Sequence, residues 1–543
     1  MRAFARLLDR LSFTPSRNDK LTLIADYLRD TPDPDRGWAL AALTGDLDLR
    51  SITPSRLRQM VEGRIDAELF RLSYDYVGDL AETIALIWPE TEGDAPAQLD
   101  EAERPDIPLS QVVTRLHEMG RANVPTEMAE MLDALPPEAR YALLKLVTGG
   151  LRVGVSAQLA KTAVARFGEV ELTEIVELWH GLTPPYADLF AWLTGGEKPV
   201  NAARAPFRPV MLSTATDLGQ LQALDPAEHI AEWKWDGIRV QAVAEAGTRR
   251  IYSRTGEDIS GAFPDLVEAM DFEGAIDGEL LVRRGTTGVG SFADLQKRLN
   301  RKTVSKALLK SNPAMLRAYD LLIDGTHQDG GVEGSGQDIR ALPQTERRGR
   351  LEAFLAPLDP ARFDLSPLIP FTTWEEVAQA RDDLPDPVIE GVMIKRRDTP
   401  YLAGRIRGPW FKWKRDPFLV DAILLYAQRG HGKRSGFYSD YTFGVWKGNE
   451  IVPVGKAYFG FTDEELKQLD RFIRDNTRER FGPVRSVTPD LVLEIAFEGL
   501  NRSPRHKSGV AMRFPRVHRI RWDKPAQEAD HLATLEAMLP PEA

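Results

Sequence analysis

Apolar residues recur at helical spacing through the first third of the chain. In "SAQLAKTAVARFG" (156–168), Leu159, Ala163 and Phe167 repeat every four residues, Ser156 supplies an N-cap and Gly168 a stop. The preceding "PPEARYALLKLVTGG" has the same grammar: proline at its start, Ala142, Leu143, Leu146 and Val147 inside, glycines at its end. Residues 1 to about 195 carry little strand character, which predicts an all-α first domain. In "LTGGEKPVNAARAPFRPVMLSTA" the composition shifts to Gly, Pro and basic residues without periodicity, as in a linker.

Beyond the linker the period falls to two. "IRVQAVAE" alternates Ile238, Val240, Ala242 and Ala244 with other positions, and "GTRRIYSRTG" can return as its partner strand. Further strand-like runs, "GAIDGELLVR", "LRAYDLLI", "PVIEGVMIKRR" and "GPWFKWKRD", are spaced by the helical "FADLQKRL" and "PQTERRGRLEAFLAPL". This predicts a mixed α/β second domain. After Asp416 come shorter runs, "FLVDAILLYAQRG", "DYTFGVWKG", "EIVPVGKAYFG" and "DLVLEIAFEGL", which predict a small antiparallel barrel of the five-stranded OB-fold type. The glycine-rich "IDGTHQDGGVEGSGQDIR" (323–340) reads as a mobile loop. The expected architecture is multidomain: helical 1–200, α/β 201–415 and β-barrel 416–543.

Length agrees, since 543 residues exceed what one core serves and three domains are expected. No run approaches membrane-spanning length, and the amphipathic start "MRAFARLLDRLSFTPSRNDK" lacks the apolar core of a secretory signal. With no cysteine there is no disulfide and no thiolate metal site, which fits a cytoplasmic protein. A net charge of −11 argues against a polyanionic partner until its distribution is considered. Residues 391–416 hold eight Lys or Arg against two acids, and residues 501–524 eight against one. Two concentrated basic stretches suffice to hold a polyanion locally.

The chemistry concentrates around "EWKWDGIR" (232–239), where Lys234 stands between Trp233 and Trp235 and is followed by Asp236, Gly237 and Arg239. Lys-x-Asp-Gly alone is a weak signal. It is followed in order by "SRTG" (253–256), "DGEL" (277–280), "YDLL" (319–322), "EGVMIK" (390–395), "WFKWK" (410–414) and "RFPRVHRIRWDK" (513–524), and chance does not produce that series. The chain resembles the ATP-dependent DNA ligases of the nucleotidyltransferase superfamily. The segment "LLKLVTGGLRVGVSAQLAKTAVARFG" (143–168) resembles part of their helical DNA-binding domain, so the likeness covers nearly the whole chain.

That resemblance implies a helical DNA-binding domain, an adenylation domain and an OB-fold barrel, a monomer encircling nicked duplex DNA, and ATP with Mg2+ as cofactors. It implies that Lys234 attacks the α-phosphorus of ATP to give lysyl-AMP. An amine needs a lowered pKa for that role, and Arg239, Lys412, Lys414 and a metal are the cations offered. Glu232 is implied in adenine recognition, and Tyr319 stands where the family carries a stacking phenylalanine. Arg239 and Arg254 are implied to hold nucleotide or DNA phosphate, a task suited to forked guanidinium groups. Glu279 is implied to contact ribose or metal and Glu390 metal, with Asp277 structural; magnesium suits hard oxygen ligands and phosphate.

Alternation in "WFKWK" sets Lys412 and Lys414 on one strand face toward phosphate, with the aromatics facing the core. Trp233 and Trp235 are expected to anchor the strand opposite Lys234. Arg407 is the implied further nucleotide contact, with Arg405 as its rival. In "RFPRVHRIRWDK", Arg519, Arg521, Asp523 and Lys524 are implied to swing over the nucleotide and orient the leaving pyrophosphate, whereas Arg513 and Arg516 face DNA. An mRNA capping guanylyltransferase shares Lys-x-Asp-Gly but lacks the long helical domain, which also argues against an RNA ligase. An NAD-dependent ligase carries a cysteine-ligated zinc module, which a chain without cysteine cannot build. A non-catalytic nick-binding clamp would have no need of Lys234.

Overall fold

The computed structural model describes residues 1–47, 49, 53–77, 79–89, 106–120, 123–201, 203–285, 288–299, 301, 303–326, 336–429, 438–458, 461–482, 484–504 and 506–539. They group into two compact units: Val164–Arg415, and Met1–Ala163 with Asp416–Ala543. Among the described residues no helix is long and apolar enough to cross a membrane.

The N-terminal segment is helical, as its periodicity predicts. Helix Pro137–Thr148 opens on proline and stops at Gly149, whose φ of 75° is a left-handed C-cap. Helix Ala157–Gly168 is capped by Ser156, whose Oγ accepts a bond from the Leu159 amide at 3.2 Å. Its buried stripe lies one residue away from the expected one: Ala160, Ala163 and Val164 are buried, whereas Leu159 and Phe167 are half-buried. The chain passes into the second unit within this helix, and Phe167 packs edge-on against Phe190, with ring centroids 6.0 Å apart.

The unit Val164–Arg415 begins with helices Leu172–Leu178 and Ala187–Leu193, ahead of the expected linker. Val176 shares a core with Phe207, Tyr252 and Ala275, and His180 packs on Phe207 and Tyr252 at 5.9 and 4.8 Å. The strands then form at the expected runs, though the central ones are buried on both faces instead of alternating: β1 His229–Trp235, β2 Ile238–Glu245, β3 Thr248–Ser253, β4 Gly274–Arg284, β5 Ala314–Asp324, β6 Ile389–Arg396 and β7 Trp410–Lys414. Two sheets result. One is ordered β7, β6, β1, all antiparallel, with short strands Thr214–Ala215 and Leu368–Ile369 at its edges. The other is ordered β3, β2, β4, β5 and is also antiparallel along that path. Asp236 and Gly237 form the turn that carries the chain from the first sheet to the second. Helix Gln344–Leu355 covers the second sheet through Leu351 and Phe354, and helix Trp374–Asp382 covers the first through Trp374 and Val377. Residues 327–335 of the expected mobile loop lie outside the described residues.

The C-terminal segment is β-rich. Among the described residues seven strands share one sheet, and Gly499–Arg502 pairs separately with Val510–Arg513, so the count exceeds the five expected. The cause is one long strand, β8 (Phe418–Arg429), which pairs on one edge with Tyr438–Lys447. On its other edge, Phe418–Ile423 meet β9 (Val492–Phe497) while Tyr426–Gln428 meet Val484–Val487. The final strand, β10 (Arg516–Arg521), pairs with β9. Leu424, Phe443, Val454, Leu493, Ile495 and Phe497 fill the core, closed by helix Asp463–Asp475 through Leu469 and Ile473. That helix was not expected, although Thr462 and Glu465 form a capping box at its start.

Candidate active site

Lys234 ends β1 beside a break in the ladder. Ile389 pairs with Trp235 but Gly391, not Glu390, pairs with Lys234, so Glu390 is an extra residue bulged from β6. The bulge aims its carboxylate at Lys234, whose ammonium donates to Glu390 Oε1; Lys414 Nζ lies 3.0 Å from Oε2. Gly391 permits the bulge: its φ is +148°, and a Cβ there would sit 2.4 Å from the Trp413 carbonyl. Gly237 permits the neighbouring turn, where a Cβ would meet the Leu280 carbonyl at 2.4 Å and Glu279 Cγ at 2.8 Å. Trp235 is buried with Leu281 and Met315, and Trp233 packs half-buried, so both anchor the strand as expected.

Carboxylates and cations meet here with opposing effects. Burial would raise Glu390, but Lys234 and Lys414 outweigh it and hold its carboxyl below the usual range. Burial pushes Glu279 up to about 8 against the pull of Lys234 and Arg239, with Glu390 and Asp236 adding to the rise. The Glu279 carboxylate accepts no hydrogen bond among the described residues. Lys412 is depressed by burial and by Arg405, Lys234, Lys414 and Arg254, all cations. Its ammonium, and the exposed guanidinium groups of Arg254, Arg405 and Arg407, have no ion-pair partner among the described residues. Of the rivals Arg405 and Arg407, Arg405 is the one whose charge acts on Lys412. Such a cluster of uncompensated cations is a site for an anion.

No group of three or more His, Asp or Glu suited to a metal occurs among the described residues. Magnesium does not require one: one or two carboxylates plus substrate phosphates and water complete its shell. Glu279 and Glu390 are hard oxygen donors close enough to act on each other's charge, and they fit that use.

In "WFKWK", the pleat places Trp410 on the face of Lys412 and Lys414, correcting the expectation that all three aromatics turn to the other side. Phe411 and Trp413 pack with Leu221 and Trp374, whereas Trp410 joins a different core with Tyr401 and Val243. Lys395 Nζ lies 4.6 Å from the Trp410 ring and 4.8 Å from the Tyr319 ring. Its ammonium also bonds both oxygens of Glu232 at 3.1 Å, and Arg348 donates to the same carboxylate at 3.3 Å. Glu232 is thus 2% exposed and held between two cations. Arg239 forks onto Asp277 at 3.0 and 2.7 Å and donates to the Met211 carbonyl at 2.7 Å. Tyr401 donates to Asp277 at 2.6 Å, which makes Asp277 the structural holder expected of it. Lys395, Arg348 and Tyr401 had been given no role. Lys395 stands in the quoted "EGVMIK", while nothing local marks the other two.

In "RFPRVHRIRWDK", within the C-terminal segment, Arg519, Arg521 and Lys524 are paired with acids. Arg519 reaches Glu494 at 3.1 Å, Arg521 reaches Asp523 at 2.8 Å and Asp421 at 3.2 Å, and Lys524 reaches Asp421 at 2.7 Å.

Sequence comparison matches residues 1–165 to the family "DNA ligase N terminus", 210–414 to "ATP dependent DNA ligase domain" and 434–524 to "ATP dependent DNA ligase C terminal region". A probable DNA ligase of Koribacter versatilis is 31% identical over 99% of this chain and 96% of its own length. DNA ligase 1 of Korarchaeum cryptofilum is 27% identical over 98% and 96%. The solved structure of Pmar-Lig_Pre superposes with a TM-score of 0.60 over 96% of this chain and 99% of that one, at 16% identity, a likeness of fold. A helical region, an adenylation domain and a β-rich C-terminal domain follow in the order the sequence predicts, and the chain belongs to the ATP-dependent DNA ligases.

Proposed function

We propose that the chain seals nicks in duplex DNA through a lysyl-AMP intermediate at Lys234. The observation that carries this is the lysine itself, held near a strand end between a bulged carboxylate and the cations Lys412, Arg254 and Arg405, which have no ion-pair partner among the described residues. The Lys234 amine, once it has given up its proton, attacks the α-phosphorus of ATP; an N–P bond forms and the bond to pyrophosphate breaks. The 5′-phosphate of the nick then takes the AMP from the lysine, and the 3′-hydroxyl displaces AMP to close the phosphodiester.

Glu232, Tyr319 and Lys395 line the proposed base side. Arg254, Lys412, Lys414 and Arg405 or Arg407 serve phosphate, and Arg239 steadies the floor through Asp277. Glu279 and Glu390 would hold Mg2+, which when bound supplies positive charge to phosphate oxygens. The C-terminal sheet serves as the expected OB-type barrel, a reading supported by Glu450–Ala457 packing beside Val510–Arg513 and β10. The protein works as a cytoplasmic monomer encircling the duplex.

Incubation with α-labelled ATP and Mg2+, followed by a denaturing gel, tests the reading. Label should stay on the wild type and be absent from Lys234→Ala, with GTP and NAD giving none. Full labelling of Lys234→Ala would remove the assignment.

A further inference from the structure

Helix Gln344–Leu355 covers the second sheet and carries two consecutive buried arginines. Arg347 stays with that sheet, forking onto Asp320 at 2.8 and 2.9 Å, and Asp320 directly follows Tyr319. Arg348 crosses to the first sheet, where its Nη1 donates to Glu232 Oε1 at 3.3 Å. Its Nη2 donates to the Ser366 carbonyl at 2.6 Å and its Nε to Glu352 Oε1 at 3.0 Å. Glu352 stands one turn on along the same helix and is half exposed, so Arg348 has an acid at hand without entering the interior. Burying Arg348, Lys395 and Glu232 together, with side chains 8%, 1% and 2% exposed, takes three charged groups out of water. An apolar cluster of the same size would serve stability at least as well.

Register sets what lies around Glu232. Glu232 and Lys234 are two positions apart on β1, so they project from one face, about 7 Å apart along the strand. Met393 pairs with Glu232 on one side and Lys412 on the other, which puts Glu232 and Lys412 in one row across the sheet. A nucleotide with its α-phosphorus at Lys234 therefore has Glu232 within its own length. The two oxygens of that carboxylate are not equivalent. Among the described residues Oε1 accepts from both Arg348 and Lys395, whereas Oε2 accepts from Lys395 alone, at 3.1 Å. Two lone pairs on each oxygen leave Oε2 with capacity for one more donor, and it is Arg348 that makes the difference between them.

We propose that Arg348 is a positioning residue for nucleotide choice: it pins Glu232 Oε1, so that Oε2 is the oxygen turned to the purine 6-position and accepts from an amino group there. This rests on the lysyl-AMP reading above, with Glu232 at the base side. Adenine carries a donor at that position and guanine an acceptor, which a carboxylate oxygen repels. Held by Lys395 alone, the Glu232 side chain would regain rotamers in which neither oxygen is aimed at the base. Arg348 touches no nucleotide, so its effect runs through Glu232.

The experiment uses the full chain and follows covalent labelling against the concentration of two α-labelled nucleotides, ATP and purine riboside triphosphate, which differs from ATP in lacking the 6-amino group. One charge-assisted hydrogen bond predicts that the wild type half-saturates with ATP at a concentration roughly ten- to a hundredfold lower than with the analogue. Arg348→Met should reduce that preference to about threefold or less, while its rate at saturating ATP changes far less. Arg348→Lys, which keeps the charge but not the fork, should lie between, and thermal unfolding is recorded for each. A structural arginine would weaken both nucleotides alike, so an unchanged or larger preference in Arg348→Met overturns the proposal. So does a wild type that labels with both nucleotides at equal half-saturation. Should Arg348→Met fail to fold, a wild-type preference in Arg348→Lys overturns it instead. Failure of the underlying reading shows separately, in a wild type that takes no label from either nucleotide.

Discussion

Gly237 is the residue on which the geometry at Lys234 turns. A methyl group there meets a backbone carbonyl of β4, so Gly237→Ala must displace the turn that follows the nucleophile. Displacement of about 1 Å suggests a loss of self-adenylation on the order of a hundredfold, read from the rate of label transfer. Lys395→Met leaves Glu232 buried beside Arg348 alone and should cost about 3 kcal/mol, read as a lower midpoint in urea unfolding. A third residue is felt through pH. Burial holds the Lys161 amine down at about 8, against 10.5 in the unfolded chain. Between those values the folded form binds fewer protons, so stability should climb with pH across that window and level off above it. Lys161→Met should flatten that climb, which is worth roughly 3 kcal/mol, in melts recorded from pH 7 to 11. Lys234 was legible because Lys-x-Asp-Gly is followed by an ordered series of motifs, although its carboxylate partner Glu390 lies 156 positions away. Lys395 as the holder of Glu232 was not, since 163 positions separate them.

At the scale of elements, the strand-like runs yielded the main strands of the adenylation domain because each is a short apolar-rich segment bounded by turn residues; the central ones are buried on both faces, so alternation was not what marked them. The Glu390 bulge was illegible: it exists only in the register between two strands far apart in sequence. Helix Asp463–Asp475 was within reach, with its capping box and with Leu466, Leu469 and Ile473 at helical spacing, but the surrounding strand-like runs drew the reading toward sheet. Helices Leu172–Leu178 and Ala187–Leu193 read correctly as helices, and the compact unit that contains them begins earlier than the composition shift near residue 200. A chain starting at residue 201 would strip Val176 and His180 from Phe207 and Tyr252. It should melt lower than one starting at residue 164, by an amount on the order of 3 kcal/mol, and label more weakly with ATP.

For the whole molecule, the order of domains was legible and their packing was not, since periodicity describes a segment and says nothing of its neighbours. Removing residues 1–163 leaves the unit that holds Lys234 intact. That protein should self-adenylate but seal nicks poorly, and its sealing should fall more steeply than that of the full chain between about 50 and 200 mM salt. Equal salt profiles for the two proteins would take the DNA-holding role away from the helical segment.

The bulge at Glu390 also has an evolutionary meaning. A three-base deletion that removed this codon would let β6 and β1 pair without a break, so the sheet would lose an irregularity rather than a strand. What disappears is the carboxylate against Lys234. A lineage could thus lose that carboxylate in one genetic event and still keep a folded adenylation domain, with no intermediate in which the protein fails to fold.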